Sequence, residues 1–366
     1  MLNMIEILQK AVEKHCSDIH IVVGKPPMAR IHGDIVPLEG YPVLKPEDAK
    51  QLIYSILYDK QRSKFESDWE LDCSAMIPSV SRFRVNVFIQ KNGVEAVLRV
   101  IPSKIPAPED IDIPQIITDF TKVKKGLVLV TGPTGSGKST TLACLINIIN
   151  QTRQDNIITI EDPIEFVYSH GKSVVRQREV GQHTQSFGKA LKSILREDPD
   201  VILVGELRDL ETITSALTIA ETGHLVFGTL HTNDAAQTVD RIINVFPAHQ
   251  QQQVRVLLAS TLKGVVSQTL LPRVDVAGRV AVREIMVVTP AIANLIREGK
   301  THQIYSAIDT GAKHGMVSLD KSLLDAVKRG FVSREDAISK ATNPEMITGG
   351  GGGYRQAGTM PTRTAY

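Results

Sequence analysis

Short apolar runs broken by turn residues open the chain's readable pattern. DIHIVVG and PPMARIHGDIVPL, within residues 18–38, are cut by Gly24, Pro26 and Pro27, which predicts strands joined by tight turns. Ahead of them, MLNMIEILQKAVEKHCSD spaces its apolar residues as a helix does, with Met4, Ile5, Leu8, Ala11 and Val12 on the inward face. PEDAKQLIYSIL has an acidic first turn behind Pro46 and reads as a second helix. SRFRVNVFIQKNGVEAVLRVI carries two alternating runs about Asn92-Gly93, the pattern of a β-hairpin. Together these predict one small α+β domain over residues 1–101.

The next segment, PSKIPAPEDIDIP at 102–114, holds four prolines and little periodicity, and reads as a stiff linker. Beyond it the apolar runs GLVLV, NIITI, DVILV and HLVFGTL suit strands buried on both faces. Helical stretches such as STTLACLINIINQ and DLETITSALTIAE separate several of them, the pattern of a parallel sheet with helical crossovers. From about residue 247 the chain reads as mostly helical, AHQQQQVRVLLASTLKGVVSQTLL and SLDKSLLDAVKRG included. The expected second domain, an α/β unit with C-terminal helices, covers 115–347. The glycine-rich end, 348–366, lacks the apolar residues to join a core and is expected to be a flexible tail.

Composition narrows the partners. The 366 residues are 42% apolar and 22% charged, with a formal net charge of +2, so no strong field favours nucleic acid or a membrane surface. Aromatic residues, at 5%, are too few for base-stacking platforms. Cys16, Cys73 and Cys144 form no CxxC pair and support neither a zinc knuckle nor a disulfide framework. No apolar run approaches the ~18 residues needed to cross a bilayer, and the N-terminus lacks a signal-peptide pattern. A cytoplasmic location is expected.

The chemistry concentrates in VLVTGPTGSGKSTTLACLI. Gly132, Gly137, Lys138 and Ser139 fit G-x-x-x-x-G-K-[ST], with a strand before and a helix after. Pro133, Thr134, Gly135 and Ser136 fill the loop and Thr140 follows it. Glycines leave the loop's amides free to turn inward, and with the positive end of the next helix they suit a polyphosphate chain. Lys138 would bridge β- and γ-phosphates, and the Ser139 hydroxyl would ligate Mg²⁺. The chain is thus expected to bind ATP or GTP.

Hydrolysis also needs carboxylates. DPDVILVGELRD ends its apolar run at Glu206, placed beyond a strand's carboxyl end as a water-activating base should be. Gly205 stands where many such enzymes carry a metal-binding aspartate, so a second acid must help. NIITIEDPIEF supplies Glu161 and Asp162, with Glu161 favoured to organise either magnesium or the attacking water. His224 and His231 flank a third run. The six residues between them span ~20 Å when extended, too far for one metal site. His231, at the exit end, could instead sense the γ-phosphate.

With these motifs go SDIHIVVGKPPMARIHG, SRFRVNVF, TIEDPIEF, VVRQREVG, LREDPDVILVGELRDLETI, ETGHLVFGTLHTNDAAQTVDRIINVFP, SQTLLPR and HQIYSAIDTGAKHGM, in order. Nearly the whole chain resembles the type II/type IV secretion ATPase superfamily, and within it the pilus-retraction motors. The resemblance implies a PAS-like N-terminal domain, a RecA-like P-loop ATPase domain and a homohexameric ring. It implies Glu206 as catalytic glutamate, with Glu161 and His231 in support. Arg84 and Arg99 match the family's N-terminal arginines that reach nucleotide phosphates, although the sequence alone would equally leave them paired to carboxylates or solvated.

The implied function is a magnesium-dependent ATPase that powers type IV pilus retraction and twitching motility. Its partner would be an inner-membrane platform protein at the cytoplasmic face, without membrane insertion. Secretion ATPases and many pilus-assembly ATPases carry extra N-terminal domains and often a four-cysteine zinc module, neither of which is seen in this sequence. AIANLIREGK resembles the retraction motors' AIRNLIRE, with Ala293 in place of arginine. The alternatives are an accessory retraction motor, a DNA-uptake pilus motor, or a RecA-like nucleic-acid translocase, the last disfavoured by charge and aromatic content.

Overall fold

The structure, a computed structural model, describes residues 2–31, 33–101 and 104–348. Pro102 and Ser103 of the expected linker, and the expected tail beyond Thr348, lie outside these residues. The chain begins with α1 (Met4–Glu13), β1 (Asp18–Ile21), β2 (Met28–Ile31), β3 (Asp34–Pro37), α2 (Pro46–Tyr54), α3 (Asp59–Asp68), β4 (Glu70–Ile77), β5 (Ser81–Gln90) and β6 (Gly93–Ile101). It continues through α4 (Gln115–Asp119), β7 (Gly126–Thr131), α5 (Lys138–Thr152), β8 (Asn156–Glu161), β9 (Val174–Glu179), α6 (Phe187–Ile194), β10 (Val201–Val204), α7 (Leu210–Glu221) and β11 (Leu225–Leu230). The last part holds α8 (Ala235–Asn244), α9 (Ala248–Thr261), β12 (Leu262–Pro272), β13 (Arg279–Val287), α10 (Pro290–Glu298), α11 (Ile304–Asp309), α12 (Leu319–Lys328), α13 (Arg334–Lys340) and α14 (Pro344–Thr348).

The strands build two sheets, a six-stranded one in the order β3-β2-β1-β6-β5-β4 and a seven-stranded one in the order β13-β12-β7-β11-β10-β8-β9. The first is antiparallel throughout. In the second, β8 pairs in parallel with β9 and β10, β10 with β11, and β12 with β7, while β13 runs antiparallel to β12. By packing, the chain divides into two compact units: Met1–Ala107 with Ser139–Gly228, and Pro108–Lys138 with the chain from Thr229 onward.

In the first unit, α1 buries Met4, Ile7, Leu8 and Ala11. These stand at i, i+3, i+4 and i+7, one stripe of a helix. Ile5, expected inward, is 47% exposed, because it lies one residue round from that stripe. The hairpin forms, but Gln90 pairs with Gly93. Its loop residues are therefore Lys91 and Asn92, and Gly93 opens β6 instead of completing the turn.

In the second unit, the stretch expected to be one long helix splits at Thr261. α9 stops there and LKGVVSQTLLP becomes β12, paired with β7 on one side and β13 on the other. Its β-branched Val265 and Val266 suit a strand, and pairing on both edges overrides the helical reading. The latter half of the expected linker is fastened within this unit. Arg283 on β13 donates from Nη1 to the Asp112 carbonyl at 2.8 Å and from Nη2 to the Ile111 carbonyl at 3.0 Å.

One buried carboxylate ties the six-stranded sheet to the rest of the first unit. Glu179, at the end of β9, is 1% exposed. It accepts from Arg82 Nη2 at 2.5 Å, from the Ser74 hydroxyl at 2.8 Å and from the Ile164 N–H at 3.0 Å, with Gln182 Nε2 as a further donor. Arg82 also donates from Nε to the Ile164 carbonyl at 3.2 Å, so β5 grips the loop that follows Glu161. Removing one partner of so buried a pair leaves an uncompensated charge. Arg82→Ala is expected to cost about 3–5 kcal/mol of unfolding free energy by urea denaturation. Arg84→Ala, from the half-exposed pair Arg84–Asp72, should cost no more than about 1 kcal/mol. Equal losses would contradict this account.

Candidate nucleotide site

β7 is buried along its whole length, GLVLVT, and delivers the chain to Gly132 at its carboxyl end. The Thr131 hydroxyl donates to the Ser267 hydroxyl at 2.8 Å, holding that end against β12. Gly132 has φ 139°, and a Cβ there would meet the Gln268 carbonyl oxygen at 2.1 Å. Gly137 also has positive φ, 86°. Neither place accepts a side chain without strain. Between them the Ser136 N–H donates to the Pro133 carbonyl at 3.2 Å, while Pro133, Thr134 and Gly135 are exposed.

Lys138 Nζ, buried, donates to the Gly132 carbonyl at 2.7 Å and the Pro133 carbonyl at 3.1 Å, so its ammonium sits inside the curl of the loop. α5 opens at Lys138, which puts Ser139 and Thr140 in its first turn, at the positive end of a 15-residue helix. The Ser136 hydroxyl oxygen is buried with no hydrogen-bond partner. A loop with a stranded hydroxyl, a central cation and a backbone that must be bare at Gly132 and Gly137 fits a polyphosphate.

The carboxylates belong to the first unit. β8 and β10 run in parallel with Ile160 opposite Val204, and the Gly205 N–H donates to the Ile160 carbonyl at 2.8 Å. Glu161 and Glu206 therefore leave adjacent strands at the same carboxyl end. A Cβ on Gly205 would come within 3.3 Å of the Glu161 Cα, so an aspartate at that place would crowd Glu161.

Glu161 is buried and accepts on Oε1 from the Thr159 hydroxyl at 2.6 Å and from Gln177 Nε2 at 3.2 Å. Burial outweighs these bonds and pushes its carboxyl up from 4.5 to about 7. Glu206 is less enclosed and pairs with Arg208 Nε at 2.7 Å. Burial also raises the Asp162 carboxyl, which precedes a cis peptide to Pro163.

The remaining expected residues are placed separately. Arg84 and Arg99 are direct cross-strand partners on β5 and β6. Arg84 pairs with Asp72 at 2.6 Å and Arg99 with Asp18 at 2.8 Å. His231 stands exposed just beyond β11. His224 Nδ1 lies 3.1 Å from the Ile219 carbonyl, which can only accept, so His224 closes the end of α7. Sequence reasoning missed Thr159 and Gln177, the donors that hold Glu161. Thr159 carried a signal, being the polar residue inside the buried run IIT-I-E.

A phosphate loop after a buried strand, paired acids at neighbouring strand ends, and an antiparallel N-terminal sheet define a P-loop ATPase of the secretion type. The model of the family described as type II/IV secretion system protein matches residues 2–339, and the chain belongs to that family. It is 52% identical over 344 residues to the type IV pilus retraction ATPase PilT of Pseudomonas aeruginosa, covering 94% of this chain and 99% of that protein. It is 51% identical over 322 residues to a twitching motility protein of Neisseria gonorrhoeae, covering 88% and 86%. A crystal structure of the pilus retraction motor PilT with bound ADP superposes with a TM-score of 0.89 at 48% identity, covering 94% of this chain and 98% of that one. The PAS-like and RecA-like architecture expected from the sequence is the one present.

Glu161 gives a pH test with a defined sign. Its folded pKa is raised, so its contribution favours the fold below 4.5 and is lost as pH climbs to about 7. Relative to Glu161→Gln, the wild-type chain should lose about 2–4 kcal/mol of stability between roughly pH 5 and pH 8, read from urea midpoints. A difference that does not vary with pH would show that the carboxylate is ionised throughout.

Proposed function

We propose that this chain is an ATPase motor that powers type IV pilus retraction, acting as a homohexamer on an inner-membrane platform protein from the cytoplasmic side. The observation that carries the reading is the glycine-pinned loop around Lys138, joined to 52% identity with a pilus retraction ATPase over nearly the full length of both chains. Among the described residues no helix is long and apolar enough to cross a membrane. That is compatible with peripheral attachment.

The residues divide the work. Lys138 exchanges the carbonyls of Gly132 and Pro133 for phosphate oxygens, a trade of neutral acceptors for charged ones. The loop amides and the α5 N-terminus hold the diphosphate end of ATP. Ser139 and Glu161 are the residues that would hold magnesium, which when bound offsets charge on the phosphate oxygens. Glu206 takes the proton of the attacking water as the bond to the γ-phosphate breaks, leaving ADP and phosphate.

His231 reads the γ-phosphate. Arg84 and Arg99 give up Asp72 and Asp18 for phosphate. The Arg84–Asp72 pair is half-exposed and costs little to open, whereas Asp18 is buried and keeps the Ser17 hydroxyl as a donor when Arg99 leaves.

Glu206→Ala should lower kcat by about 10²–10⁴-fold with ADP binding retained, and Lys138→Ala should weaken nucleotide binding itself. Cells carrying either variant should lose pilus retraction along with the ATPase. Retraction and turnover at wild-type levels in both variants would refute the reading.

A further inference from the structure

Gln268 meets the phosphate loop at both of its ends. It lies on β12 one residue past Ser267, the partner of Thr131, and is 3% exposed. Its main-chain oxygen blocks any side chain at Gly132, where the loop begins. Its side-chain Nε2 donates to the Ser136 carbonyl at 2.6 Å, where the loop closes. The same Nε2 would stand 3.2 Å from a Cβ at Gly137, so the amide fits there because Gly137 is bare.

The geometry has a consequence for the anion. The Ser136–Gly137 peptide is planar and trans, so its carbonyl and its N–H point in opposite directions. With the carbonyl drawn toward Gln268, the Gly137 N–H faces away from β12. Without that bond the peptide could rotate and offer its carbonyl to the phosphate, which would repel it. A glutamate of the same shape has no N–H to donate when ionised and would set acceptor against acceptor. A leucine would leave the Ser136 carbonyl buried without a partner.

We propose that Gln268 is a positioning residue for nucleotide binding, which sets the Gly137 N–H toward the phosphate chain by holding the Ser136 carbonyl. It touches no substrate itself. The inference rests on the ATPase reading above and deepens it, since it concerns affinity for the diphosphate portion that ATP and ADP share.

The test uses the full chain with Gln268→Leu and Gln268→Glu, titrated with ADP and assayed for ATP turnover. In Gln268→Leu the ADP dissociation constant and the KM for ATP should rise together by about three- to ten-fold, the effect of one lost hydrogen bond. Gln268→Glu should show a larger rise. kcat at saturating ATP should stay within about twofold of wild type, since the water-activating groups are untouched. Circular dichroism and urea midpoints identify which variants are folded.

Folded variants with unchanged ADP affinity would overturn the inference. So would a fall in kcat at constant KM, and so would failure of both variants to fold, which would assign Gln268 to the core alone. A wild-type chain that binds no ADP would sink the ATPase reading itself, and the inference with it.

Discussion

The structure depends on how closely the backbone at Gly132 approaches β12. A carbonyl oxygen lies 2.1 Å from where a Cβ would be, so the main chain there must be bare. The approach requires β12 to run beside β7 in parallel, with Ser267 opposite Thr131, and it places the loop where Lys138 can curl back to the Gly132 carbonyl. Sheet pairing, loop shape and the position of the ammonium are thus one constraint. An anion site made of main-chain groups needs such enforcement, since amides have no side chain to anchor them and must be aimed by what packs behind them.

The carboxylate side follows a different logic. Glu161 is buried among neutral donors and pushed up to about 7, so the protein holds an acid near the point where it can exchange its proton or accept a cation. Glu206, on the neighbouring strand end, stays accessible beside Arg208. The arginines on the N-terminal sheet sort by burial. Arg82 is paired with the buried Glu179, bonds the Ser74 hydroxyl and the Ile164 carbonyl as well, and serves the fold. Arg84 is held by a half-exposed pair that a more highly charged ligand could displace, while Arg99, itself exposed, is held by the buried Asp18.

How far the sequence could be read follows from the range of the interactions. The loop from Gly132 to Thr140 was legible because its chemistry sits in consecutive residues between a strand and a helix. Glu161 and Glu206 were legible because each ends an apolar run, and strand ends in parallel sheets collect ligands. β12 was not, because its apolar residues continue those of α9 without a break and only pairing with β7 and β13 decides its form. Gln268 and Glu179 were also hidden. Gln268 bonds Ser136 across 132 positions and Glu179 bonds Ser74 across 105, distances over which a single sequence carries no pairing signal. Ile5 shows the smaller error, a stripe misassigned by one residue.

The most direct measurement is calorimetric titration of ADP into the purified chain and into Gly132→Ala, with folding of both verified beforehand. The account expects the wild-type chain to bind one ADP per chain and the folded variant to bind none at the same concentrations, because a single methyl group at Gly132 drives the loop off β12. Equal binding by the two chains would contradict it.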